Sequence, residues 1–122
     1  MIARLSDRPS GIVTPIDPAT LLGDWINYDT SSRNIASLTI SRRSEDVLLS
    51  IDDWGETTAL PFSLTTAGGE AAAFRAAYDF GFARIAILAY LNKRLLVVDA
   101  YTTFEDDSGR SNYFARDHFW LR

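Results

Sequence analysis

The residues best suited to chemistry lie near the end of the chain, where Tyr113 and Asp117 are four positions apart and His118 follows directly. In a β-strand, residues separated by an even number of positions share a face, so Tyr113 and Asp117 would project together and His118 to the other side. A carboxylic acid and a phenol in an apolar pocket can act as general acid and hydrogen-bond donor. Asp117 and Tyr113 are therefore the candidate catalytic pair.

The amino-acid composition and spacing argue against thiol, metal and nucleophilic serine sites. The chain has no Cys, which excludes thiol catalysis and thiolate metal sites, and one His does not make a zinc site. No Gly-x-Ser-x-Gly elbow presents a nucleophilic serine. The acidic run at residues 106–109 lacks EF-hand spacing and has the composition of a hairpin turn. We expect no metal and no cofactor.

The surroundings of His118 and Asp117 each allow two interpretations. Asp99 and Arg116 share a face with His118 in the register given below, and the three could form a proton-transfer cluster. A surface ion pair beside a half-buried histidine explains the same pattern with fewer assumptions. Asp117, if it faces inward, needs a partner such as Tyr113, Asn27 or a donor on a ligand, because an isolated buried charge is prohibitive. Otherwise its strand ends in solvent and the carboxylate is hydrated.

Composition limits the possible partners and location. The 122 residues, 47% hydrophobic and 23% charged, suit one globular domain. The net charge of −4 argues against nucleic acid or an anionic membrane as partner. The longest apolar run, at residues 85–91, is too short to span a bilayer, and the N-terminus lacks the apolar segment of a secretion signal. We predict a cytoplasmic protein with a flexible N-terminal arm at residues 1–16 and a single β-barrel domain at 17–122.

The pattern beyond residue 16 is mainly that of strands. Asp17 as N-cap, Pro18 at the first helical position and Gly23 as the stop predict one short helical turn. Pro61 indicates an edge or bulged position in its strand. In residues 70–80 the alanines favour a helix and the alternating aromatic residues favour a strand, which is the interpretation we adopt. The strands predicted before the last three are residues 25–28, 35–42, 47–52, 57–64 and 70–80.

Two turns set the register of the three strands between Phe82 and Arg122. One is a two-residue turn at residues 92–93 and the other a four-residue turn at 106–109. The cross-strand pairs that follow are Leu91 with Arg94, Ala89 with Leu96, Asp99 with Arg116, and Glu105 with Arg110. Two opposite-charge pairs result from one register, which supports it.

This register divides the side chains into two faces. The nearly apolar face is assigned to the barrel interior. The other face carries too many aromatic residues for a monomer in water, so we predict a homo-oligomer, with a dimer favoured. The inner face comprises Ala83, Ile85, Ile87, Ala89, Leu91, Leu96, Val98, Ala100, Thr102, Phe104, Tyr113, Ala115, Asp117, Phe119 and Leu121. The outer face comprises Phe82, Arg84, Leu88, Tyr90, Leu95, Val97, Asp99, Tyr101, Asn112, Phe114, Arg116, His118 and Trp120.

The segment Leu21-Leu22-Gly23-Asp24-Trp25 resembles the entry of lipocalins and their calycin relatives, in which a helical turn and Gly-x-Trp lead into the first strand. The longer Gly23-Asp24-Trp25-Ile26-Asn27 is also similar to the entry of avidin-like barrels. The resemblance implies an indole that plugs one barrel end and an Asn27 that contacts ligand. The expected fold is all-β: an eight-stranded antiparallel up-and-down barrel (lipocalin-like) with a short N-terminal helical turn.

Three further segments resemble small bacterial barrels of unassigned function, which implies a fold and no activity. They are Trp25/Asn27/Asp29, Asp53-Trp54-Gly55, and Phe104/Asp106/Ser108-Gly109-Arg110. Trp54 either contacts a ligand at the barrel mouth or lies over the rim, with Gly55 permitting the bend.

Our first functional hypothesis is the binding of a small, largely apolar molecule, because an eight-stranded barrel can hold one small ligand and interior alanines leave volume for it. The expected ligand-binding residues are Trp25, Asn27, Trp54, Thr102, Phe104, Tyr113 and Phe119. One alternative is a biosynthetic enzyme, a cofactor-independent cyclase or isomerase of bacterial specialised metabolism that uses Asp117 and Tyr113 inside the barrel. Another is a self-associating structural subunit whose aromatic outer face is its function.

Overall fold

The computed structural model describes residues 17–32 and 34–122, and the arm predicted at residues 1–16 lies outside them. The described chain forms eight antiparallel strands in a closed up-and-down barrel, in which each strand pairs with the next and the eighth returns to the first. The predicted fold class is confirmed, and the architecture is consistent with a lipocalin-like fold. The strands are β1 (Gly23–Asn27), β2 (Ser37–Arg43), β3 (Asp46–Ile51), β4 (Gly55–Thr66), β5 (Gly69–Asp79), β6 (Ala83–Asn92), β7 (Leu95–Phe104) and β8 (Tyr113–Leu121).

The predicted helical turn is a 3₁₀ turn at Pro18–Leu21. Asp17 caps it, since its carboxylate accepts a hydrogen bond of 3.0 Å from the Ala19 N–H. The turn ends before Gly23, which instead begins β1 with a φ of +135°. A Cβ at that position would lie 2.7 Å from Leu121 Cδ1, so glycine also allows β1 to approach β8 closely.

Residues 70–80 form a strand, which resolves the ambiguity of that segment in favour of alternation. β5 pairs with β4 on one side and β6 on the other, and Phe74 and Tyr78 project into the interior. This two-sided pairing outweighs the helix preference of the alanines. The last pair between β3 and β4 is Val47 with Ala59, and Pro61 lies beyond it in β4. Pro61 therefore pairs only with β5, which suits a residue without a backbone N–H.

The predicted register is right between β7 and β8 and wrong between β6 and β7. Asp99 is opposite Arg116, as predicted. The β6–β7 turn is formed by Lys93 and Arg94, one residue later than predicted, so Ala89 is opposite Val98 and Leu91 is opposite Leu96. The predicted register would have placed Arg94 beside Leu91 on the inner face, whereas the observed one leaves Arg94 in solvent. Because the shift is two residues, no side chain changes face.

The predicted pairing of Glu105 with Arg110 is also wrong. β7 ends at Phe104 and β8 begins at Tyr113, so the connection is eight residues long. Arg110 forms its ion pair with Asp106 at 2.8 Å, within the loop. At the end of β7 a side chain takes the place of a backbone acceptor, because Asn112 Oδ1 accepts a hydrogen bond of 3.0 Å from the Phe104 N–H. Local hydrogen bonds therefore compete successfully with extension of the hairpin.

The predicted orientation of the last three strands is confirmed. Ile87 and Val98 are buried in the core, and Arg116 and His118 are on the outside. Val97 faces outward as predicted but is buried, between Tyr90 and His118 in the ladder. At the two ends of β8, Tyr113 and Leu121 belong to the inner face yet are about half exposed.

Candidate functional site

The two ends of the barrel differ in how their strands are connected. At one end two-residue turns join β2 to β3, β4 to β5 and β6 to β7, and the 3₁₀ turn lies at the same end. At the other end the connections span residues 28–36, 52–54, 80–82 and 105–112. We call these the closed end and the open end.

Trp25 plugs the closed end. Its indole is buried, and Nε1–H donates a hydrogen bond of 2.9 Å to the Leu21 carbonyl of the 3₁₀ turn. The polar atom of the ring is therefore satisfied by the backbone, and the rest of the ring packs in the core. The structure gives Trp25 a structural task, and it does not bring this residue to the cavity described next.

A cavity of about 160 Å³ lies inside the open end. Of the candidate site residues, the structure brings Trp54, Thr102, Tyr113 and Asp117 together here. Trp25, Asn27, Phe104 and Phe119 do not line this cavity, and Phe119 is fully buried in the core. The described residues that line the cavity are Asn34, Ile35, Trp54, Val98, Ala100, Thr102, Tyr113, Ala115 and Asp117.

Small side chains on β7 and β8 create this cavity. Ala100 and Ala115 are direct cross-strand partners, and both line it. Ala89, an interior alanine on β6, is different, because it is opposite Phe74 of β5, whose ring is fully buried there. An alanine leaves space only where no neighbouring aromatic ring fills it.

Asn27 faces inward, and its amide is used within the fold. Nδ2 donates a hydrogen bond of 2.8 Å to the Ile35 carbonyl, and Oδ1 accepts one of 2.8 Å from the Asp29 N–H. These bonds hold the loop between β1 and β2, which delivers Asn34 and Ile35 to the cavity. Asn27 thus positions residues of the cavity wall. Its predicted direct contact with a ligand stays a prediction.

Asp117 is half-buried at the mouth of the cavity. Its partner among the described residues is Ser32, whose hydroxyl lies 3.4 Å from Oδ1, and not Tyr113 or Asn27. The sequence did not indicate Ser32 and Asn34 as parts of the site because they lie in a loop without periodicity. Ile35 was predicted to begin the second strand, but that strand begins at Ser37 and Ile35 lies in the loop before it. The available signal was the Asn27-x-Asp29 pair, whose side chains are typical of structured turns.

Aromatic rings surround the open end. We call Trp54, Tyr78, Phe80, Phe82, Phe104 and Tyr113 the mouth collar. Trp54 makes edge contacts with Tyr78 and Phe80, with centroids 5.4 and 6.0 Å apart, and Phe80 stacks on both Tyr78 and Phe82. Phe104 contacts Tyr113 at 6.2 Å. The guanidinium of Arg110 connects the two groups of rings, 5.7 Å from the Phe82 centroid and 4.3 Å from that of Phe104.

Tyr78 anchors the collar to the barrel. Its hydroxyl lies 2.9 Å from the Gly55 carbonyl and 3.2 Å from that of Leu49. Burial raises the pKa of Tyr78 to about 12, because the phenolate would lose its hydration. The phenol therefore stays neutral and fixes the turn that carries Trp54.

Asp99 and Arg116 form a two-pronged ion pair on the outer face, with nitrogen–oxygen distances of 2.6 and 2.9 Å. Hydrogen bonding to Asp99 and its charge raise the pKa of Arg116. The pair and the exposed His118 lie outside the barrel, away from Asp117. The surface ion pair agrees with the simpler interpretation, but His118 is exposed and not half-buried as that interpretation expected. None of the three residues lines the cavity described above.

Comparison of the chain with protein-family models, with curated proteins and with solved structures gives no match. In the part of the chain that the structure describes, no helix has the length and apolar character needed to cross a membrane. Functional inference therefore depends on the geometry of the cavity.

Proposed function

We propose that the protein binds a small molecule in the cavity at the open end. The observation that carries the proposal is a space of about 160 Å³ inside a closed barrel, reached through loops and lined by both apolar and polar groups. A cavity of about 150 Å³ is large enough for a molecule the size of benzene. The 3₁₀ turn and the buried Trp25 cover the other end, so a ligand would enter from the open end.

The lining indicates a largely apolar ligand with one polar end. Ile35, Val98 and the two alanines offer an apolar wall, against which a hydrocarbon portion would lose its hydration favourably. Thr102, Asn34 and Asp117 offer hydrogen-bonding groups that would orient the polar end. Trp54 and Tyr113 would contact the ligand on its way in or in its bound position.

The test is native mass spectrometry of protein purified from its own host, with Ala115→Leu as the cavity-filling variant. We expect a bound small molecule on the wild type and its loss from Ala115→Leu. Ala67→Leu, the same change at an exposed turn of the closed end, is the matched control and should retain the ligand. Retention by Ala115→Leu would contradict the proposed site.

A second candidate function is a cofactor-independent cyclase or isomerase. It is favoured by the presence of Asp117 and Tyr113 in one small cavity, where a carboxyl and a phenol can exchange or donate protons. Cyclisation and isomerisation conserve mass, so turnover would change the chromatographic retention of the co-purified molecule at unchanged mass. Catalysis predicts a fall of about 100-fold or more in this conversion for Asp117→Asn. A binding module shows no conversion in either protein.

We also propose that the outer face pairs with a second copy of the chain. Tyr101 and Phe114 are direct cross-strand neighbours, 47% and 56% exposed. The exposed Ala77 and Ala86 lie in shallow grooves on the same side of the barrel, one of which Tyr101 borders. Protruding rings beside grooves floored by small residues allow a two-fold pairing in which each copy's rings enter the other's groove.

The pairing is tested by light scattering. Phe114→Glu should convert a dimer to a monomer, and Ser41→Glu, at an exposed position of β2, should leave the mass unchanged. A wild type that is monomeric at high concentration would refute the pairing. The effect of Trp120→Glu on mass would show whether the interface extends along β8.

The cytoplasmic location of the protein stays a prediction.

A further inference from the structure

Deepening the proposed function, on which it rests, we propose that the cavity selects an amine: a small molecule whose ammonium group is held by Asp117 and whose apolar body fills the space between Trp54 and Val98. The chemical class follows from the charges, the unused hydrogen-bonding capacity and the aromatic rings of the site.

The charge that the described residues bring to the site is negative. Among the described residues that line the cavity, Asp117 is the one with a formal charge. It is half-buried, where a carboxylate is less hydrated than on an open surface and gains more from a cation. A ligand with its own carboxylate or phosphate would be repelled, and a neutral ligand would leave this charge uncompensated.

The hydrogen-bonding capacity of Asp117 is largely unused by the described residues. A carboxylate has about four acceptor positions, and the Ser32 hydroxyl at 3.4 Å uses one of them at long range. An ammonium group has three donors and no acceptor, so it complements this side chain. The oxygens of Thr102 and Asn34, which also line the cavity, can accept its remaining hydrogens.

The aromatic groups in the lining favour a cation as well. The indole of Trp54 and the phenol of Tyr113 both border the cavity, and such rings attract ammonium groups through the negative charge of their faces. Trp54 is held by edge contacts with Tyr78 and Phe80, so it is already ordered before a ligand arrives. Little conformational entropy would be lost on binding.

The described cations near the open end are paired elsewhere. Arg110 is held by Asp106 at 2.8 Å and lies over Phe104. Arg116 projects outward from β8 to Asp99. Neither of these two arginines forms an ion pair with Asp117, which itself lines the cavity.

The test compares benzylamine with benzyl alcohol, two probes of nearly the same shape that differ in charge at neutral pH. Binding is followed by NMR titration of the Trp54 indole N–H and by calorimetry. We expect wild-type protein to bind benzylamine about tenfold or more tightly than the alcohol, the ratio typical of a charge-assisted hydrogen bond. Equal binding of the probes, or tighter binding of the alcohol, would overturn the amine assignment while leaving a small-molecule site in place.

Asp117→Asn, which keeps the shape of the side chain and removes its charge, should abolish the preference for the amine and retain binding of the alcohol. Asp107→Asn, the same change in the exposed loop 105–112, is the matched control for net charge and should keep the preference. A preference that survives in Asp117→Asn would overturn the proposal. Failure of both probes to bind the wild type would overturn it too, and the native mass spectrometry above then decides separately whether the cavity holds another ligand.

Discussion

The closed and open ends of the barrel are built from the same eight strands and differ in what covers them. At the closed end, tight turns and a 3₁₀ turn bring Leu21 and Trp25 over the core, and both are buried. At the open end, longer loops surround an incomplete core, and Trp54 is only partly buried. The closed end is packed, and the open end contains a cavity.

Residues of the same type have different structural roles at the two ends of this barrel. Trp25 is a plug because a backbone carbonyl satisfies its Nε1–H, whereas Trp54 is a wall of the cavity. Ala89 packs beside a buried phenylalanine, whereas Ala115 borders empty space. In both pairs, the neighbours decide the outcome.

The tryptophan pair should give the largest difference in stability. Trp25→Ala removes a buried ring and its hydrogen bond, so we expect a loss of about 3–5 kcal/mol in the free energy of unfolding. Trp54→Ala removes a partly exposed ring and should cost about 1–2 kcal/mol. Urea denaturation of the two variants measures both values. Equal losses would show that the open end contributes as much to the core as the closed end does.

The alanine pair should show a smaller difference. Ala89→Leu adds volume to a filled part of the core and should destabilise the protein by about 2 kcal/mol. Ala115→Leu extends into the cavity and should change stability by less than about 1 kcal/mol. Thermal unfolding of both variants measures this contrast. A large loss for Ala115→Leu would mean that the cavity walls cannot accept a larger side chain.

Tyr78 connects the mouth collar to the core, and substituting it should have the smallest effect on the free energy of unfolding. Tyr78→Phe removes a buried hydroxyl that contacts two carbonyls and should cost about 1 kcal/mol at pH 8. Because the folded-state pKa is about 12 and the ordinary value is 10, the contribution of the neutral phenol is complete below pH 10 and is lost as pH rises toward 12. Urea denaturation between pH 8 and 11 should therefore show the advantage of wild type over Tyr78→Phe shrinking. A constant difference would place the hydroxyl in contact with water.

The class of fold and the division of the late strands into two faces follow from the amino-acid pattern, and the structure then showed which face is buried. Apolar and polar residues that alternate between turn signals are typical of a sheet with one buried face. The opposite charges of Asp99 and Arg116 indicated the register of β8 against β7. Asp17 and Pro18 located the 3₁₀ turn, because capping chemistry is local. The β6–β7 register was off by two residues, since a turn at residues 92–93 and one at 93–94 are both acceptable locally, and the cost of Arg94 inside the barrel appears only in three dimensions.

Which inward-facing residues come into contact depends on the three-dimensional packing. Trp25, Asn27 and Asp117 all face the interior, but they lie at different heights along the barrel axis, as a plug, a loop anchor and part of the cavity wall. The alternation of residues along a strand indicates which face a side chain is on and does not indicate its height along the axis. Ser32 and Asn34 reach the site through a loop whose path depends on the Asn27 amide. Ala115 borders the cavity opposite the small Ala100, whereas Ala89 lies opposite the buried Phe74, and this difference is a property of packing between strands.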